Sequence, residues 1–212
     1  MAAELKENEI RPDIPSYVSI TPWITYDSQM NNAKFVVAKK NVVPANQCQG
    51  TTYLNVVKWT DYKLGLNKYL DWTEEKYYKE LARFVKTKSH VTEYEYHNKL
   101  FNDLFAGKAT IKSKKFTLKN IKDHIDESKA PVIFSIDVRE AFNPKAKAEM
   151  GHVVMAVGKD NNGISVHDPR GKFFTNYKDL DGNQTFFPDK TIDRIGRKSV
   201  GIYCVTILKE KK

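Results

Sequence analysis

GHVVMAVGKDNNGISVHDP, residues 151–169, decides how this 212-residue chain folds. Its first half alternates as a strand does, with His152, Val154 and Ala156 on one face and Val153, Met155 and Val157 on the other. Both faces are apolar beyond the histidine, which predicts a strand covered on both sides rather than a soluble ribbon. Asn162–Gly163 is a tight-turn dipeptide, and GISVH at 163–167 returns as the second strand of a hairpin. That turn would set His152 opposite residues 171–173 and leave Asp168 diagonal to it, so twist or a bulge must bring the two together. His167 projects to the opposite face from Asp168 and reads as a structural or surface residue.

Outward from this hairpin, PVIFSIDV at 131–138 and SVGIYCVTIL at 199–208 read as further strands. Upstream the period changes to that of helices. From Cys48 a stripe of Tyr53, Val56, Val57, Thr60 and Leu64 runs to a stop at Gly65. A second helix fits residues 71–88, with Asp71 or Thr73 as cap and Tyr77, Leu81, Phe84 and Val85 as its buried stripe. A third is expected over 92–105. A fourth, over 117–129, starts at a Thr117 cap and aligns Leu118, Ile121 and Ile125. Helices first and an antiparallel sheet second is an α+β pattern. The expected organisation is one domain over 1–212, mainly helical over 48–128 and mainly antiparallel sheet over 131–208. Residues 1–20 read as an extended, proline-punctuated arm, and AKFVVA at 33–38 as a short strand or covering loop.

Composition bounds the function. The chain is 41% hydrophobic with 35 Lys+Arg against 26 Asp+Glu, a formal +9, which suits a globular protein that meets anionic surface polymers. The lysines are spread along the chain with no Arg-rich, aromatic-interleaved run, so no specific nucleic-acid surface is expected. The N-terminal stretch lacks the apolar core of a signal peptide, and no run approaches the ~20 residues that span a bilayer. The expectation is a protein made in the cytoplasm, with Cys48 and Cys204 as unpaired thiols and Cys204 buried in its apolar strand. Cys48, His152, His167 and Asp168 match no zinc spacing, so neither a metal nor a cofactor is expected. His90, His97 and His124 sit on or beside amphipathic helices and read as solvated.

A thiol attacks as thiolate, and a helix N-terminus lowers its pKa through aligned peptide dipoles and unpaired N–H groups. Cys48 has that position. A neighbouring imidazole can then hold a thiolate–imidazolium pair, oriented through its other nitrogen by a third group. His152 and Asp168 are the natural candidates, and Gly50 would let the helix start approach a substrate closely.

NQCQGTTYLNVVKW at 46–59, APVIFSIDV at 130–138 and GHVVMAVGKDNNGISVHDPRG at 151–171 together resemble papain-like cysteine peptidases. The likeness is to the branch typified by bacteriocin-processing (double-glycine leader) peptidases and their stand-alone relatives, and it spans residues 24–171. It implies a papain-like fold with Cys48 as nucleophile, His152 as general base and acid, and Asp168 as the residue orienting the imidazole. YDSQMNN at 26–32 matches the stretch that carries the family's oxyanion glutamine, which implies that role for Gln29, with Gln47 as its rival. Two departures stand out. Gln49 follows the cysteine where relatives often have glycine, and AKFVVAKKNVVPA at 33–45 is an inserted loop between Gln29 and Cys48.

The resemblance implies a cysteine hydrolase working through a thioester. Its substrate would be a peptide, or peptidoglycan in a phage-type lysin released to the cell envelope at lysis. An intracellular processing peptidase and a thiol-dependent acyl or peptidyl transferase would use the same residues, and a non-catalytic basic binding module would keep only the fold.

Overall fold

The structure, a computed structural model, describes residues 18–19, 26–37, 40–42, 46–87, 89–143 and 145–209. The expected arm over 1–20 lies outside them except for Val18–Ser19 (β1), which pairs antiparallel with Lys159 and Gly158. The other strands are Phe35–Val37 (β2), Lys40–Val42 (β3), Ala109–Lys114 (β4), Val132–Asp137 (β5), Gly151–Lys159 (β6), Gly163–His167 (β7), Thr185–Pro188 (β8) and Ile202–Ile207 (β9). The helices are Cys48–Lys63 (α1), Glu74–Leu81 (α2), Tyr94–Leu104 (α3), Leu118–Ser128 (α4), Arg139–Phe142 (α5) and Asp189–Ile195 (α6). β4-β9-β5-β6-β7-β8 form one antiparallel sheet with β1 on β6, while β2 and β3 form a separate hairpin within the insertion before Cys48.

β6 is central to the arrangement. From His152 to Gly158 it is buried, and both α1 and α4 pack on it, so its apolar residues face helices on two sides. α1 is held to it by the Thr52 hydroxyl, which donates to the Val153 carbonyl at 3.1 Å. The stripe expected on α1 is too narrow. Every residue from Gln49 to Asp61 is buried, because α2, α3, the sheet and the 26–32 segment close around the helix. Gly65, at φ +63°, ends it as expected.

Threonine caps start α2 and α4. The Thr73 hydroxyl accepts from Lys76 N, and the Thr117 hydroxyl accepts from Asn120 N. α2 is shorter than expected. Beyond Leu81 the hydrogen bonds of Arg83 and Phe84 run to Glu80 and Leu81, a tightened turn, so Phe84 and Val85 lie past the helix. The mainly helical part expected over 48–128 also contains β4, whose ATIKSK sequence buries Ala109 and Ile111 and turns its lysines outward at the edge of the sheet. β8 and α6 were outside the expected elements too.

The hairpin turn also differs from expectation. Asp160 accepts the N–H groups of Asn162 and Gly163 through Oδ1, and its own N–H meets the Gly163 carbonyl at 3.1 Å. The turn is therefore an aspartate-anchored loop over 160–163, with Gly163 already in β7, where a Cβ would sit 2.4 Å from the Phe187 carbonyl.

Two histidines are core residues rather than solvated ones. His97 is fully buried, its Nδ1 2.7 Å from the Tyr77 hydroxyl and its Nε2 3.1 Å from the Val91 carbonyl, and burial pushes it down to about 4. His124 is buried with Nε2 2.6 Å from the Val205 carbonyl. Their amphipathic helices pack with these positions inward, and each ring finds the polar partners that make burial tolerable. The His90 side chain lies outside the described residues. Cys204 is buried in β9, and burial raises its thiol to about 11.

Candidate active site

Three elements distant in sequence converge at one end of β6. Cys48 is the first residue of α1, and its N-cap neighbour Gln47 makes no side-chain cap. The amide N–H of Gln49 is thus left to bond the thiol, as is that of Val153 on β6. His152 leads into β6 and is 3% exposed. Its Nε2 lies 2.6 Å from Oδ1 of the fully buried Asp168, and its ring also hydrogen-bonds the Cys48 thiol. With Nε2 on the carboxylate, Nδ1 is the nitrogen left for sulfur. Cys48 as a residue is partly buried, whereas His152 and Asp168 are buried.

The hairpin explains how Asp168 reaches His152. Met155 pairs with His167 and Ala156 with Val166, but Gly158 pairs with Ser165, so Val157 is an extra residue bulged out of the ladder. Bulge and longer turn draw Asp168 toward the start of β6, and the strand ends at His167, which frees Asp168 to turn. Its loop is then fastened at several points. Its N–H donates to the Gly182 carbonyl at 3.0 Å, its carbonyl accepts from Tyr26 Oη at 2.7 Å, and Tyr26 Oη accepts from Gly182 N at 3.0 Å. A Cβ on Gly182 would stand 2.0 Å from the Asp168 carbonyl oxygen, so this approach requires glycine. His167 takes no part. It is buried against the edge of Tyr26, with ring centroids 5.9 Å apart, and among the described residues neither ring nitrogen has a hydrogen-bond partner. It is a structural residue, not a surface one.

The electrostatics favour a charged pair. Burial raises the Cys48 thiol, but the hydrogen bond and charge of His152 and the N–H groups of Val153 and Gln49 outweigh it, leaving the thiol below its ordinary value. Burial lowers His152, but the Asp168 charge and hydrogen bond, with the sulfur, push the imidazole up to about 10. Both shifts describe one state, thiolate beside imidazolium.

Gln29 is buried on a short 3-10 turn between α1 and the Asp168 loop. Its N–H donates to the Pro169 carbonyl at 2.8 Å, while Asn32 Nδ2 donates to Thr51 Oγ1 at 3.1 Å and Lys58 pairs with Asp27 at 2.7 Å. The turn is therefore tied to both sides of the site. Gln47 is buried beside the cysteine, and one N–H of its Nε2 donates to the Ala33 carbonyl at 2.9 Å. Gly50 serves the fold, not a substrate, because the Tyr78 ring fills its place and a Cβ there would sit 2.2 Å from the phenol oxygen.

Sequence reasoning missed Tyr26, Tyr177 and Gly182. Tyr177 Oη donates to Asp168 Oδ2 at 3.1 Å, but nothing in a lone tyrosine nine residues downstream marks it for that contact.

The model of the peptidase C39-like family matches residues 23–188. No curated protein matches the chain. In three dimensions it is similar to a C39-like peptidase candidate from Bacillus anthracis whose crystal structure is known. The TM-score is 0.52 at 14% identity, over 89% of this chain and 96% of that one, a likeness of fold. This chain belongs to the peptidase C39-like family, a branch of the papain-like cysteine peptidases, and has its α+β fold.

Proposed function

We propose that the chain is a thiol peptidase in which Cys48, His152 and Asp168 are the catalytic residues and Gln29 supplies an oxyanion donor. The observation that carries this reading is the 2.6 Å His152–Asp168 contact with the helix-start thiol on the other side of the same imidazole. The Cys48 thiolate attacks the amide carbonyl carbon, and the carbonyl π pair moves onto oxygen. Collapse of that intermediate breaks the C–N bond as imidazolium Nδ1 gives its proton to the leaving amine. A thioester remains. The now neutral imidazole takes a proton from water, the water oxygen adds to the thioester carbon, and the acid departs as the thiolate is restored. Asp168 holds Nε2–H throughout, so Nδ1 always faces the chemistry.

For the oxyanion the family stretch YDSQMNN and the place of Gln29 on a turn between α1 and the Asp168 loop favour Gln29 over Gln47. Gln29→Ala is expected to lower kcat about 100-fold with KM little changed, and Gln47→Ala to lower it less than tenfold. Equal losses in the two variants, measured on one peptide substrate, would reassign the donor.

The substrate class we propose is the peptide stems of peptidoglycan, as for a phage-type lysin, supported by the formal +9 that favours anionic envelope polymers. Incubation with insoluble peptidoglycan should release soluble peptides with new amino ends, and iodoacetamide should stop the release. A protein whose Cys48 alkylates readily at low pH yet releases nothing would keep the peptidase and lose this substrate.

A further inference from the structure

We propose that Tyr177 is a positioning residue for the His152–Asp168 pair, its hydroxyl holding the carboxylate and its ring closing the pair off from water. The proposal rests on the reading of Cys48, His152 and Asp168 as catalytic. Asp168 Oδ1 is already engaged by His152 Nε2 at 2.6 Å and by the Arg170 N–H at 3.0 Å, and Tyr177 Oη, 3.1 Å away, is the donor to the other oxygen. With three donors on a fully buried carboxylate, the carboxyl plane is fixed and with it the imidazole. Burial and the Asp168 charge hold the Tyr177 phenol well above its ordinary range, so it stays a donor at every working pH.

The ring does a second job. It meets the His152 ring edge-on, with centroids 5.9 Å apart and planes at 81°, and Phe173 meets it edge-on at 6.1 Å. Phe142 lies parallel to it at 4.8 Å, and the Arg170 guanidinium caps that stack, 4.2 Å from Phe142 and 5.7 Å from Tyr177. Groups facing the imidazole are thus Cys48 on one side and Asp168 and Tyr177 on the other, with Arg170 beyond.

The backbone supports a functional reading. Asn176 and Tyr177 are consecutive residues with φ of +52° and +58°, a conformation that asparagine tolerates and a bulky aromatic residue rarely adopts. Glycine would fit this turn without strain. A tyrosine held there by its surroundings is the kind of outlier that clusters at functional sites, and what its conformation delivers is the hydroxyl to Asp168.

The test compares the pH dependence of Cys48 alkylation by iodoacetamide in wild type, Tyr177→Phe and Tyr177→Leu, all with Cys204→Ser, alongside their thermal midpoints. Tyr177→Phe keeps the ring and removes one oxygen. Asp168 Oδ2 is then buried with one donor fewer, which disfavours the carboxylate charge and the imidazolium–thiolate pair that depends on it. The acid limb should therefore move to higher pH by about half a unit, since a hydrogen bond to a charged group sets the scale and only part of it reaches the sulfur. In Tyr177→Leu the limb should move further, and the His152 Nε2 proton should exchange with water faster than in Tyr177→Phe. A wild-type curve already depressed and left unchanged in Tyr177→Phe, with only the thermal midpoint lowered, would overturn the inference alone. A wild-type curve centred near the free-thiol value of about 8.5 would overturn the catalytic reading and the inference with it.

Discussion

Replacing His152 with alanine should cut the alkylation rate of Cys48 at pH 6 by roughly 300-fold or more, measured in the Cys204→Ser background. A thiol of ordinary pKa, about 8.5, is only about 0.3% thiolate at that pH, whereas one paired with an imidazolium is largely ionised. The sign follows from the two shifts. The thiol lies below its ordinary value and the imidazole is pushed up to about 10, so the ion pair forms as pH rises through the first and is lost as pH rises through the second. Alkylation needs only the thiolate and so shows only the acid limb. Peptide hydrolysis also needs the imidazolium proton for the leaving amine, so its rate should fall again as pH passes about 10. In His152→Ala the alkylation curve should centre above 8.5, because burial, the largest influence on Cys48, then acts with only backbone N–H groups against it. Identical curves for the two proteins would mean that the sulfur and the ring do not share a proton, and the peptidase assignment of these residues would fall.

The legible parts of this fold were those written in local period. Four helices over 48–128 and the strands at 131–138, 151–169 and 199–208 follow from side-chain spacing and caps, because the same residues that face the core set the period. β4 was illegible for a physical reason: with Lys112 and Lys114 outward it belongs to an edge that needs charge, and charged alternation looks like loop. His97 and His124 misled for the opposite reason, since whether a histidine is buried depends on partners that other elements bring, here Tyr77 and Val205. At the candidate site, the placement of Cys48 at a helix start and of His152 near a strand start was readable. The contact of Asp168 with His152 was implied by the resemblance and required a twist or bulge, but its place was not readable, because the Asn162–Gly163 signal pointed to a register that the Asp160 loop and the Val157 bulge replace. Tyr177 was not readable at all. Its contact with Asp168 arises from a left-handed turn that no local sequence rule demands of tyrosine.

Asp168 carries the second large effect, and asparagine and alanine should separate its charge from its geometry. Oδ1 accepts from His152 Nε2 and Arg170 N, and Oδ2 accepts from Tyr177 Oη, so all three neighbours donate. An asparagine can keep its carbonyl toward His152 and Arg170 and turn its amide toward Tyr177, whose hydroxyl can rotate to accept. Orientation then survives and only the charge is lost. Asp168→Asn should lower kcat/KM about tenfold and bring the alkaline limb of hydrolysis well below 10, because burial lowers His152 and the Asp168 charge is the chief influence raising it. Asp168→Ala removes the acceptor itself. The imidazole is free to adopt the tautomer that offers Nδ1–H to the sulfur instead of accepting from it, and the loss should reach roughly 1,000-fold or more. Stability should divide the variants in the same direction, since each buried donor left without a partner costs about 1–3 kcal/mol and alanine strands Arg170 N and Tyr177 Oη where asparagine strands neither. Rates, pH profiles and thermal midpoints of the two variants decide the matter. If both lose activity equally, with the alkaline limb unmoved in asparagine, Asp168 braces the loop without governing the imidazole, and the 2.6 Å contact is structural.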